Sequence, residues 1–97
     1  MKTIAQRVQA GIRFLDKRYG TKWRKRIDLD TLDLNRVRSC ILGQTDGDYE
    51  THARKLGIWK GGGTTRNNLG FTGALYEMGS LTSAWKKALK GKVGRNA

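Results

Sequence analysis

Between Thr3 and Tyr19 the apolar side chains Ile4, Val8, Ile12, Leu15 and Tyr19 recur at steps of 4, 4, 3 and 4 residues. That rhythm belongs to an α-helix. At about 100° per residue the five fall within an arc of about 80°. Lys2, Arg13 and Lys17 lie opposite, and Arg7 and Arg18 flank the stripe. A helix this one-sided has to lay its stripe on other elements, so the rest of the chain is constrained to supply a partner surface. Gly20 offers the stop, and Lys17 and Arg18 in the last turn suit the negative end of the helix dipole.

No proline interrupts the 97 residues. After the basic run Lys22-Trp23-Arg24-Lys25-Arg26, the segment Asp28 to Leu34 alternates apolar and acidic residues. Aspartate is depleted in strands, so an extended, capped connector fits better than a strand. Asp33 or Asn35 is then expected to cap a short helix from Arg36 to Leu42, with Val37, Cys40 and Ile41 facing inward and Gly43 ending it. Gln44 to Gly47 reads as a turn. Asp48 caps a further helix carrying Tyr49, Ala53 and Leu56 on one face, and Gly57-Ile58 closes it in a Schellman motif. Trp59 to Asn68, with three consecutive glycines, reads as a mobile loop. Leu69, Phe71, Leu75, Tyr76 and Met78 are expected back in the core. Ser80 then caps a last helix to Lys90, with Leu81, Ala84, Trp85, Ala88 and Leu89 on one side and Lys86, Lys87 and Lys90 on the other. The expected fold is all-α: a compact single-domain bundle of four to five short helices with a Gly-rich loop over residues 1–90, followed by a frayed basic tail over 91–97.

Charge is the second constraint. The 20 Lys and Arg outnumber the 8 Asp and Glu, a formal net charge of +12. Met1 to Ile27 holds 9 basic residues and 1 acidic, net +8; Asp28 to Glu50 holds 2 and 6, net −4; Thr51 to Ala97 holds 9 and 1, net +8. Clustered like charge costs the compact state self-repulsion unless a partner offsets it. A polyanion or an acidic protein is such a partner. The acidic middle also has the option of pairing with either end.

Several classes are excluded. A single cysteine, Cys40, forms no internal disulfide and no cysteine-rich zinc site. No run approaches the ~18 apolar residues of a membrane span, and Met1 to Arg7 lacks the apolar centre of a secretory signal. A soluble product of a cytoplasm, without membrane contact, is expected.

The blocks Trp23-Arg24 followed by Ile27-Asp28-Leu29-Asp30-Thr31-Leu32-Asp33, then Cys40-Ile41-Leu42-Gly43-Gln44, Leu69-Gly70-Phe71 and Leu81-Thr82-Ser83-Ala84-Trp85, follow a familiar order. The chain from Trp23 to Trp85 resembles small accessory proteins encoded by tailed bacteriophages of actinobacteria. That resemblance implies a setting, a phage product acting in the host cytoplasm, and it transfers no activity and no functional residues. The triple-glycine loop and the lysine-rich last helix go beyond the pattern.

Six kinds of chemistry are suggested by particular residues. Ala53, Gly57 and Ile58 match the first helix and turn of a helix-turn-helix, but a recognition helix would have to run through Gly61, Gly62 and Gly63 at roughly 1 kcal/mol each. The loop Lys60 to Arg66 offers backbone N–H groups, the Thr64 and Thr65 hydroxyls and two cations to a phosphate, without Walker spacing. Arg18 to Arg26 is the strongest signal. Its cations suit phosphates, while Trp23 and Tyr19 either stack on a base or anchor the core. Cys40 with His52 is the one nucleophile and base pairing on offer, yet Cys40 lies on an apolar face and His52 reads as a surface residue. The aspartates lack calcium-loop spacing, and Leu69-Gly70-Phe71 fits core packing better than a groove-docking peptide.

The expectation is therefore a non-enzymatic protein with no cofactor and no metal. It binds nucleic acid, DNA ahead of RNA, through Lys22, Arg24, Lys25, Arg26, Lys60, Arg66, Lys86, Lys87 and Lys90. The alternative is a host-takeover protein that docks on an acidic host protein, with Trp59 or Phe14 as its anchor.

Overall fold

The computed structural model describes residues 2–60 and 63–90. Among them are five α-helices, α1 (Ile4–Tyr19), α2 (Ile41–Thr45), α3 (Tyr49–Lys55), α4 (Gly63–Asn68) and α5 (Met78–Lys90), and two 3₁₀ helices, Thr21–Arg26 and Leu75–Glu77. Of the described residues 64% are helical and none is in a strand, which makes the domain all-α. The expected tail over 91–97 and the glycines Gly61 and Gly62 lie outside the described residues.

α1 forms as its stripe requires. Thr3 accepts from the Gln6 N–H while Gln6 reaches back to the Thr3 N–H, a capping box that satisfies two end donors. Gly20 stops the helix at φ +74°, its N–H donating to the Asp16 carbonyl. Val8, Ile12 and Leu15 are buried, whereas Tyr19 at the end of the stripe is 40% exposed.

The stripe packs mainly on α5, whose Leu81, Trp85 and Leu89 are fully buried and Ala84 and Ala88 partly so. Trp85 is the centre. Its ring stacks on Phe71 at 5.9 Å, and its indole N–H donates to the Gly70 carbonyl at 2.7 Å. Gly11 lets α1 come this close, because a Cβ there would stand 2.1 Å from the Leu69 carbonyl oxygen and 2.9 Å from the Trp85 ring.

The connector over 27–34 is free of strand, as expected, and Leu32 and Leu34 enter the core. The helix expected over Arg36 to Leu42 is not present. A turn over 37–39 leads instead into α2, whose N-cap is Cys40, the thiol sulfur accepting from the Gly43 N–H. Val37 is 58% exposed and its carbonyl receives the Tyr49 N–H. Gly43, expected as a stop, lies inside α2, where the Val37 carbonyl leaves no room for a Cβ. Gln44 and Thr45 are accordingly helical rather than part of a turn.

α3 begins at Asp48, which accepts from the Thr51 N–H. It ends in the expected Schellman motif: Ile58 N–H to the Ala53 carbonyl, Gly57 N–H to the Arg54 carbonyl, and Gly57 at φ +76°.

Three further expectations are corrected. Residues 63–68, assigned to a mobile loop, form α4. Gly63 occupies its first position, where the interior penalty on glycine does not apply, and Gly70 at φ +72° ends it with a second Schellman pair to Asn67 and Arg66. Leu75 and Tyr76, expected in the core, are 90% and 87% exposed. Ser80 does not cap α5. The helix starts at Met78 directly from the 3₁₀ turn, and Glu77 accepts from the Ala74 N–H ahead of it.

Candidate nucleic-acid interface

The densest run of cations lies where α1 ends and the first 3₁₀ helix begins. Gly20 turns the chain back, and the Asp16 carboxylate in the last turns of α1 captures two side chains of that 3₁₀ helix. One oxygen accepts from the Trp23 indole at 2.8 Å, the other from Arg24. Trp23 is buried, so it anchors the corner and offers no face to a base. In a 3₁₀ helix residues i and i+3 lie on one side. That places Lys22 and Lys25 together, both exposed.

Arg26 donates to the Thr45 carbonyl at 2.8 Å, tying the corner to α2. With Tyr19, Lys22, Trp23, Thr45 and Asp46 it lines a cleft of about 210 Å³. Lys17 and Arg18 are exposed just before Gly20.

The remaining expected contacts are dispersed. Lys60 is exposed beside Trp59, in a shallow cleft with Arg54 and Gly57. Lys87 borders a groove between α1 and α5 floored by Ala5, Ala84 and Ala88. Lys86 is half-buried and Lys90 exposed. Arg24 is engaged with Asp16, and its side chain is only 16% exposed. Arg66 is buried, donating to the Ile58 and Trp59 carbonyls and lying 4.3 Å from the Trp59 ring centre. Of the nine residues, Lys22, Lys25 and Arg26 thus share the corner, while Arg24 and Arg66 are turned inward.

The acidic middle does pair with other segments in part. Lys55 bonds Asp46 and Arg54 bonds Glu50, while Arg36 pairs with Asp33 inside the middle itself. All three are solvent-exposed pairs of small energetic weight. Among the described residues no ion pair engages Lys17, Arg18, Lys22 or Lys25, and no cluster of three His, Cys, Asp or Glu side chains is placed to hold a metal ion. No described helix is long and apolar enough to cross a membrane.

His52 corrects an expectation: it is fully buried, between Tyr19 and the Leu42 carbonyl. Burial pushes its pKa below the ordinary value and pushes the Cys40 thiol up. A protonated thiol bonded to the Val37 carbonyl is a structural cap, not an activated nucleophile. The sequence carries a signal for His52, since Tyr49, His52, Ala53 and Leu56 share one helical face.

Arg7 is a further residue that sequence reasoning does not single out. It is buried and donates to the Asn67 and Thr72 carbonyls and to Glu77. Its place beside the stripe, directly before Val8, is the one available hint. Compared with known proteins, the chain matches no family model, no curated protein and no solved structure.

Proposed function

We propose that the chain is a phage-encoded, non-enzymatic protein of the host cytoplasm that binds nucleic acid, DNA ahead of RNA, through phosphate contacts centred on the corner from Lys17 to Arg26. One observation carries this reading. Of the two carboxylates at the corner, Asp16 is taken by Trp23 and Arg24 and Asp46 by Lys55, which leaves Lys17, Arg18, Lys22 and Lys25 exposed without an ion-pair partner among the described residues. Such a cluster gains by displacing counterions from a phosphate backbone.

Four contacts would give a salt slope of about −3.6, a loss of about 100-fold in affinity between about 50 and 200 mM salt. Fluorescence anisotropy of labelled duplex and single-stranded DNA across that range tests it. The double substitution Lys22→Glu, Lys25→Glu is expected to weaken binding and flatten the slope. Affinity unchanged by salt or by that substitution rejects the reading.

A second reading, docking on an acidic host protein, is favoured by the exposure of Leu75 and Tyr76. Phe14 and Trp59 are poor anchors. Phe14 packs edge-on to Phe71, and Trp59 is flanked by Arg54, Arg66 and Tyr49. Leu75 and Tyr76 take their place as the apolar contact, with the cations steering approach. Recovery of tagged protein from host lysate with and without nuclease separates the readings. A stoichiometric companion that survives nuclease and is lost on Tyr76→Ala supports docking, and one released by nuclease supports phosphate binding.

A further inference from the structure

Three arginines fold inward, and their charges are met differently. Arg7 has Glu77 and two carbonyls; Arg24 has Asp16. Arg66 has no carboxylate among the described residues. Its Nη1 donates to the Ile58 and Trp59 carbonyls at 3.0 and 2.7 Å, and its plane lies over Trp59 and near Tyr49, at 4.3 and 5.9 Å from the ring centres.

These contacts position the guanidinium but leave its full charge uncompensated, and Nε is buried with no partner. The Nε of Arg24 is also unpartnered, but Asp16 already neutralises that head.

With Nη1 occupied twice and Nε closed off from solvent, Nη2 is the nitrogen left to donate. A guanidinium N–H gives an oxyanion a charge-assisted hydrogen bond. Nη2 lies toward the start of α4, 3.9 Å from where a Cβ on Gly63 would stand. Arg66 lines a cleft of about 620 Å³ with Tyr49, Thr64, Asn67, Asn68 and Thr72 among its walls. The lining offers hydroxyls and amides, and no carboxylate.

We propose that this cleft binds a phosphate group, with Nη2 of Arg66 as its charged donor and Thr64 and Thr72 as hydroxyl donors. The site goes beyond the surface contacts of the α1 corner and shares no residue with them. The same phosphate chemistry arrives either as a free phosphate or as the backbone of a nucleic acid.

Arginine Nε–H signals in NMR report the site on the full chain. Inorganic phosphate, titrated at constant ionic strength against chloride, is expected to move the Arg66 signal saturably while those of Arg7 and Arg24 stay in place. Arg66→Lys keeps the charge, loses the planar head that the Nη1 bonds hold in place and is expected to abolish phosphate protection against thermal unfolding. Thr64→Val, at an exposed position, keeps the fold and is expected to weaken phosphate binding by at least about threefold.

A thymidine oligonucleotide at equal phosphate concentration distinguishes the sources. A shift with inorganic phosphate identifies a free-phosphate site, and a shift with the oligonucleotide alone identifies a backbone contact; both support the cleft. An Arg66 signal that moves with neither probe, or drifts without saturating alongside Arg7 and Arg24, overturns it. That failure is separate from the fate of the α1 corner, which the Lys22→Glu, Lys25→Glu variant reads on its own.

Discussion

The phenol oxygen of Tyr19 lies 2.7 Å from Nε2 of His52, and Nδ1 of the same ring lies 3.0 Å from the Leu42 carbonyl oxygen. A carbonyl only accepts, so Nδ1 carries the hydrogen and Nε2 accepts the Tyr19 hydroxyl. One neutral imidazole therefore joins the end of α1 to α2 and α3.

Acid should loosen this link. Burial is the main force holding the His52 pKa below its ordinary 6.5, aided by Lys55 and Arg18 and opposed by the Leu42 carbonyl and Asp46. A base with a lowered folded pKa contributes stability that is fully present above the unfolded value and is lost as pH falls through the folded one. The urea midpoint is expected to drop between about pH 7.5 and about pH 5, before the carboxylates titrate. Tyr19→Phe strands Nε2 in the interior and is expected to cost about 1–2 kcal/mol at neutral pH. A midpoint flat across that window contradicts the assignment.

Two glycines should respond to alanine with opposite signs. Helix propensity alone favours alanine at both Gly11 and Gly79 by up to about 1 kcal/mol. At Gly11 the new Cβ meets the Leu69 carbonyl and the Trp85 ring, so overpacking prevails and a loss of about 2–3 kcal/mol is expected. At Gly79 nothing lies within 4 Å of that Cβ, and a gain of about 0.5 kcal/mol is expected. Chemical denaturation of the two variants decides it, and a stabilised Gly11→Ala would show that α1 and α5 are not packed as described.

Arg7 holds the turn between α4 and α5 against α1. Arg7→Met keeps much of the side-chain volume but leaves the Asn67 and Thr72 carbonyls and Glu77 without their donor. A loss of roughly 3 kcal/mol is expected, with hydrogen-exchange protection falling first at Phe71 and Gly70, whose amides close α4. Stability equal to the parent chain would mean that water replaces the guanidinium at no cost.

The features legible in the sequence are those set by local rules. The stripe of α1, the Asp48 cap, the Gly57-Ile58 stop and the Leu81-Trp85-Leu89 face each depend on residues within one or two turns, and each is found. Local rules fail where a distant group decides. Val37, Cys40 and Ile41 have helical spacing, but the carbonyl of Val37 is claimed by Tyr49, so the helix starts later. Gly70-Phe71 carries the same signal as Gly57-Ile58 and marks the end of α4, an element the triple glycine conceals. At the candidate interface, residue type announces the cations but does not separate Lys22 and Lys25, which face water, from Arg24 and Arg66. That division comes from Asp16 and from two carbonyls and an indole brought in by the fold.

Asp16 offers the sharpest test of the corner, because its two roles pull in opposite directions. Its carboxylate holds Trp23 and Arg24, so removing the charge should weaken the fold; it is also a negative group among the corner's cations, so removing it should strengthen the pull on a phosphate backbone. Asp16→Asn retains an oxygen able to accept from the Trp23 indole and loses the ion pair to Arg24. A stability loss of about 1 kcal/mol is expected for this partly exposed pair. DNA affinity at low salt is expected to rise several-fold, with the salt slope steeper by about one unit as Arg24 is released to a further phosphate. Unfolding curves and anisotropy titrations on the same sample give both quantities. Affinity that falls in step with stability would show that the corner does not contact the backbone and that Asp16 is only a staple.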